Sequence, residues 1–382
     1  MKKVIGIYCG DFTYNGKPWN SDIVRSGGAG GSEIWAVELA SAFYKLGFHV
    51  IVFCNCPEWW FDSEGVEYMP YWYFNSRRRY QHFDYFISSR RAEEITPDFE
   101  CPNIYLMSHE IGIFNGYWGN FETFEGLKMD KVKKIGVLSE WHKKATMKLY
   151  PQLREDQLFI TQNGIDQSLY DVIDDSKISC VGYVKRNMMV WSTALNRGMT
   201  FFGKYVLPKI VEKVPDFELN ICSYCLDIKG VLPEGPNVHF LGTLTRPELA
   251  ELQKQAKIWI LPNYGYNDFG KPLHESFCMS AVENALAGNA IVCFNKDGLT
   301  TTLEGYSGIL NADWFDDSPE SRNISPEEYE KLATDLADNA VELLMHEPLR
   351  QAMAEEARKI CAKYTWKNSA MTWLKEWGLL YE

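Results

Sequence analysis

The chain has 382 residues, with 39 Lys and Arg against 51 Asp and Glu for a formal net charge of -12, so no broad electrostatic attraction draws it to nucleic acid or anionic lipid. That length exceeds the usual span of one core, which makes two domains the default. Hydrophobic content of 46% and aromatic content of 14% indicate a globular chain, and no apolar run approaches the roughly 20 residues that span a bilayer.

The first apolar run, residues 4–9, is too short for a signal-peptide core and reads as a strand; a cytoplasmic protein is expected. A helix at 32–46 follows, then strands at 49–54, 85–88, 104–107 and 135–138, an alternation that implies a parallel sheet with right-handed crossovers. The rhythm restarts with a strand at 179–183, a helix at 200–213, and strands at 218–222, 238–241, 258–262 and 290–294. Between the halves, Asn163-Gly164-Ile165-Asp166 and the polar stretch through Asp174-Asp175-Ser176 form the hinge candidate. From Ser325 onward the pattern is helical, and Trp366, Met371, Trp373, Leu374 and Trp377 mark an amphipathic last helix. The ten cysteines are scattered without the dense framework of a secreted scaffold, which predicts buried reduced thiols; Cys54-x-Cys56 and Cys222-x-x-Cys225 lack the second pair that a zinc finger needs.

The most informative stretch runs from Glu275 through Phe277, Cys278 and Met279 to Glu283 and Gly288. It predicts a small-residue helix carrying two carboxylates, stopped by Gly288. Eight residues advance a helix roughly 12 Å, so the carboxylates can reach opposite ends of one extended ligand, with unpaired amides at the helix start favouring a diphosphate. The strands on either side place this loop at a carboxyl edge, where open parallel sheets bind ligands. A second glycine-rich loop, Gly27-Gly28-Ala29-Gly30-Gly31-Ser32-Glu33, opens the first helix but lies too far from its strand for a dinucleotide fingerprint.

Taken together, these parts resemble the retaining glycosyltransferases of family 4. The collinear set is Gly30-Gly31-Ser32-Glu33, His109, Ser139-Glu140-Trp141-His142-Lys143, Asn163-Gly164-Ile165-Asp166, Asn196-Arg197-Gly198-Met199 and the Glu275 to Glu283 pair. The resemblance implies an α/β GT-B fold of two facing Rossmann-like, doubly wound parallel-sheet domains with an interdomain cleft. It divides the chain into an acceptor-side domain at 1–164, joined by the last helix at 366–382, and a donor-binding domain at 165–365.

The resemblance also implies roles. His109, Arg197 and Glu275 form the catalytic set: Arg197 holds the leaving diphosphate, Glu275 binds hydroxyls of the transferred sugar, and His109 stands beside that sugar and helps stabilise an oxocarbenium-like transition state. Donor contacts fall to Gly30, Gly31, Ser192, Arg197, the amides of Phe277, Cys278 and Met279, and Glu283 on the ribose. No cofactor and no metal are expected; the co-substrate is a nucleoside diphosphate sugar, UDP- or GDP-linked, and the acceptor a glycan, lipid-linked or small hydroxyl compound. Nucleic acid is not a partner, and Arg77-Arg78-Arg79 leaves peripheral membrane contact open.

Two departures from the family pattern bear on the site. Where many members have a second basic residue before Arg197, this chain has Trp191 followed by Ser192. The loop before Glu275 is long and offers Lys271 and His274 as extra sugar contacts. His142 and Lys143 are expected on an exposed helix face. Trp59, Trp60, Trp72 and Tyr73 are either an acceptor groove or core. The alternatives are a nucleotide-sugar epimerase, a non-catalytic sugar-binding protein and, less well matched, an NAD-dependent oxidoreductase.

Overall fold

The computed structural model describes residues 2–12, 17–112, 114–115, 120–121, 124–170, 184–223, 233–263, 274–311 and 325–380. It divides into two compact units, unit 1 comprising Met1–Gly164 with Tyr364–Glu382, and unit 2 comprising Ile165–Lys363.

Unit 1 contains strands β1 (Val4–Tyr8), β2 (His49–Cys54), β3 (Trp60–Phe61), β4 (Glu67–Pro70), β5 (Tyr85–Ser89), β6 (Ile104–Met107), the short pair β7 (Phe114–Asn115) and β8 (Asn120–Phe121), β9 (Val132–Val137) and β10 (Leu158–Ile160). Its helices are α1 (Ser21–Ser26), α2 (Gly31–Lys45), α3 (Phe74–Arg77) and α4 (Glu140–Leu149). Eight of the strands form one sheet in the order β10-β9-β6-β5-β1-β2-β4-β3. Every pairing is parallel except β3 with β4. The central strands are buried along nearly their whole length, as expected of a parallel sheet covered on both faces. All carboxyl ends except that of β3 therefore leave from one edge.

In unit 2, β11 (Met188–Trp191), β12 (Glu218–Ile221) and β13 (Val238–Phe240) pair in parallel, as do β14 (Ile258–Leu261) and β15 (Ala290–Cys293). The Arg186 N–H, donating to the Gln255 carbonyl at 2.8 Å, ties the two groups together. The strand expected at 179–183 lies outside the described residues; the first strand seen is β11, whose four apolar residues are all buried. The helix expected at 200–213 is interrupted: α5 (Met199–Phe201) passes into a π-helical turn, Phe202–Val206, before α6 (Leu207–Lys213). Pro208 explains the interruption, since it has no N–H to donate one turn back. The remaining helices of the unit are α7 (Arg246–Gln255), α8 (Met279–Leu286), α9 (Leu299–Thr302), α10 (Pro326–Met345) and α11 (Glu347–Cys361). Ser325 and Glu328 cap α10 reciprocally.

The last helix, α12 (Trp366–Glu376), belongs to unit 1. Trp377 just beyond it stacks on Tyr85 at 4.1 Å between ring centroids, and Trp373 meets Phe159 edge-on at 4.8 Å. These rings close one face of the sheet. At Gly164 a Cβ would come within 2.2 Å of the Trp366 backbone nitrogen, so glycine is what lets the two segments of unit 1 approach there.

No described helix is long and apolar enough to cross a membrane.

Candidate active site

In unit 2 the site grows from the carboxyl ends of β14 and β15. Buried Asn263 locks them together, its amide donating to the Phe294 carbonyl at 3.1 Å and its carbonyl accepting from the Phe294 N–H at 3.0 Å. Lys271 and residues 264–273 as a whole lie outside the described residues. At Glu275 the backbone is clamped from both sides: Gly298 N–H donates to its carbonyl at 2.7 Å, and its own N–H donates to Asp297 Oδ2 at 3.3 Å. A Cβ at Gly298 would lie 2.2 Å from the Ser276 carbonyl oxygen, so this approach requires glycine. The His274 ring faces the same Asp297 carboxylate at 3.3 Å.

Glu275 is not on the helix. Cys278 stands at φ +67° as the N-cap, and α8 begins at Met279. A left-handed, non-glycine residue cannot continue a right-handed turn, and the Phe277 carbonyl is taken by the Thr302 hydroxyl at 2.6 Å. Only Glu283 rides on α8, so the expectation of two carboxylates on one helix is corrected. The helix start lies between them all the same. No side chain caps it and its first turn carries no acidic residue, an arrangement suited to an anion.

Arg197 Nη1 donates to Glu275 Oε1 at 2.9 Å and to the His274 carbonyl at 2.7 Å. Burial pushes the Glu275 carboxyl above the usual range; Arg197 opposes that and Asp297 adds to it. The pair joins residues 78 positions apart, and nothing in the spacing announced it.

Glu283 belongs to a second polar cluster. Gln253 on α7, fully buried, hydrogen-bonds its carboxylate, accepts the Tyr170 O–H at 2.8 Å and reaches Ser192 Oγ at 3.5 Å. Burial raises the Glu283 carboxyl, with Arg246 and Gln253 working against it. Ser192 and Glu283 are thus brought together through Gln253, which Tyr170 in turn holds, and neither Gln253 nor Tyr170 carried a motif. Trp191, where a second cation is common, is core.

In unit 1 the corresponding edge carries His109, just past β6. Ser89 Oγ, at the end of β5, lies 3.1 Å from His109 Nε2, and the Trp35 ring of α2 meets the imidazole edge-on at 4.9 Å. Burial holds the imidazole well below its ordinary range, with Arg90 and His142 acting in the same direction, so it is neutral at neutral pH. Gly30 is the N-cap of α2 and Gly31 its first residue; no side chain caps the helix, and Glu33 is buried in its first turn, accepting from Ser32 Oγ at 2.9 Å.

His142 is not on an exposed face, as its neighbours in sequence suggested, but fully buried. Its Nδ1 accepts from the Leu138 N–H at 3.1 Å, which makes Nε2 the donor to the Glu110 carbonyl at 2.8 Å. Ser108 Oγ donates to the Gly112 carbonyl at 3.0 Å, and Arg90 Nε to the Glu110 carboxylate at 3.1 Å. The turn bearing His109 is therefore fixed from below by His142 and from the side by Arg90. Lys143 pairs with Glu155 at 3.0 Å.

No protein-family model matches the chain, and no curated protein matches it in sequence. Solved structures do match in fold. Sucrose-phosphate synthase from Thermosynechococcus elongatus superposes with a TM-score of 0.69 at 14% identity, covering 99% of each chain. HepE of Anabaena, in complex with UDP-glucose, gives 0.61 at 13% identity over 99% of this chain and 100% of its own. A glycosyltransferase from Rickettsia africae gives 0.61 at 14% identity over 99% and 98%. The chain has the α/β GT-B fold of these glycosyltransferases.

Proposed function

We propose that this GT-B chain is a retaining, metal-independent glycosyltransferase that moves a hexose from a nucleoside diphosphate sugar to a hydroxyl of a glycan, lipid-linked or small acceptor. The observation that carries the reading is the uncapped start of α8, with Glu275 and its Arg197 partner on one side and Glu283 on the other. An anion at that start gains from aligned backbone N–H groups. Arg197 supplies the positive charge for the leaving diphosphate, the amides of Phe277, Cys278 and Met279 line sugar and phosphate, Glu275 takes sugar hydroxyls, and Glu283 takes the ribose. Gly30 and Gly31 let the α2 start approach the donor. HepE, a neighbour in fold, was solved with UDP-glucose, which supports a UDP-linked donor.

In the proposed reaction the acceptor oxygen attacks the anomeric carbon on the face the diphosphate leaves, and the departing phosphate oxygen takes its proton. Glu275 and Glu283 then bind rather than attack, unlike the carboxylate pair of a retaining glycosidase. Neutral His109 can hydrogen-bond the transferred sugar without adding a positive charge beside a developing oxocarbenium ion.

The test is a thermal-shift screen against UDP, GDP, ADP and their sugars. One nucleotide should stabilise the protein by about 2.7 kcal/mol at 100 times its dissociation constant; a flat response to all of them would remove the basis of the reading. Glu283→Ala should weaken both the free nucleotide and the nucleotide sugar by about 1.5–3 kcal/mol, the range for charged hydrogen bonds, whereas Glu275→Ala should spare the free nucleotide and depress turnover. Equal loss in both would refute that division of roles. Activity should also survive EDTA, with Arg197→Lys retaining part of the rate that Arg197→Ala loses; a strict need for added magnesium or manganese would sink the assignment to Arg197.

A further inference from the structure

A groove of about 420 Å³ opens in unit 1 beyond the carboxyl ends of β2 and β4, and none of its lining residues belongs to the candidate active site. Trp59, Trp72, Tyr73, Arg77 and Tyr80 line it, with Glu58 and Ser76 among the polar groups. Trp59, Trp72 and Tyr73 are each about half exposed, at 54%, 53% and 48%, and Tyr80 stands almost free at 89%. They are not core, and Trp60, half-buried against Tyr68, is not part of the lining.

The floor beneath these rings is rigid. Phe74, between Tyr73 and Arg77, is fully buried and stacks on Phe86 at 5.1 Å. Arg77 is held by the buried Glu67 carboxylate at 3.5 Å while its guanidinium lies 5.7 Å from the centre of the Trp59 ring. Exposed aromatic rings fixed in a concave site, with a carboxylate and a guanidinium among them, match a ligand that presents flat C–H faces and both donor and acceptor hydroxyls. A planar anionic membrane fits less well, because the chain carries a net charge of -12 and the groove is concave.

We infer that this groove binds the non-reacting part of an oligosaccharide acceptor, an assignment of substrate class that rests on the glycosyltransferase reading. The sheet order supplies the reach. β4 is four places from β6 in the run β6-β5-β1-β2-β4, so at roughly 4.8 Å per strand the groove lies about 19 Å along the edge from the strand that delivers His109. A single sugar cannot occupy both places; a chain of several can.

The probes are maltoheptaose, cellohexaose, chitohexaose and mannohexaose, with their monosaccharides as controls, applied to the full chain by calorimetry and set beside UDP and GDP binding. Expected is binding of at least one oligosaccharide but not its monosaccharide, weakened about tenfold or more in Trp59→Ala and Trp72→Ala, as for truncation of an aromatic anchor, with nucleotide affinity unchanged. Trp72→Phe, which keeps a ring, should retain most of it. Nucleotide binding without oligosaccharide binding overturns the groove and leaves the donor site standing. Oligosaccharide binding without nucleotide binding overturns its role as an acceptor site. Binding indifferent to both tryptophans, or aromatic-dependent binding to phosphatidylglycerol vesicles in place of sugars, overturns it as well.

Discussion

His109→Ala should cut turnover about 100-fold or more while leaving nucleotide affinity nearly intact. That factor corresponds to about 2.7 kcal/mol of stabilisation made mainly in the transition state. In the proposed site the diphosphate is held by Arg197 and the α8 start and the ribose by Glu283, all within unit 2, so nucleotide binding does not depend on His109. The imidazole is aimed by Ser89 and by the edge of Trp35 and kept neutral by burial. His109→Gln, a neutral side chain with both donor and acceptor, should recover part of the rate, whereas His109→Lys should not. Steady-state and single-turnover rates with a fixed donor, alongside calorimetric binding of the free nucleotide, separate these effects. Unchanged turnover in His109→Ala would overturn the catalytic reading of the residue.

His142 carries the second large effect, on stability. Burial pushes its imidazole down to about 4, with the Glu110 carbonyl and carboxylate pulling the other way. The unfolded chain binds the proton near pH 6.5 and the folded chain only near pH 4. Stability from this group is therefore fully present above pH 6.5 and is lost as the pH falls towards 4, by about 3 kcal/mol in all. His142→Gln preserves at most one of the two hydrogen bonds, so at pH 7 it should be less stable by about 1–3 kcal/mol, the cost of an unsatisfied buried group. On acidification the gap should close, since the variant has no imidazole to protonate and carboxyls common to both proteins cancel. Urea unfolding at pH 7, 5.5 and 4 measures this; parallel stability curves would contradict it.

The strands and most helices were legible because burial on both faces leaves uninterrupted apolar runs, as in His49–Cys54 and Ile258–Leu261. β4 and β10 escaped notice because Glu67-Tyr68-Met69-Pro70 and the three-residue Leu158–Ile160 carry too short or too mixed a pattern. The error at Glu275 has a different origin: small residues and a terminal glycine describe a helix, but Glu275 is held off it by Asp297 and Gly298, 22 and 23 residues downstream in the chain. His142 misled for a related reason. Its neighbours Glu140, Lys143 and Lys144 look solvated, and only the fold brings the Leu138 and Glu110 backbone groups to its ring. Gln253 and Tyr170 support Glu283 from elements that no local motif links to it.

The return of α12 to unit 1 has a consequence for biosynthesis. Unit 2 is contiguous along the chain, whereas unit 1 is split around it. At about 5–20 residues per second, the ribosome takes about 10–40 s to make the intervening segment, and throughout that interval Tyr85, Tyr105 and Phe159 wait without the Trp373 and Trp377 rings that cover them. The nascent first half is thus the vulnerable species, a full set of strands with an aromatic seam open to holdase chaperones, and a premature stop before Tyr364 would leave that seam open for good.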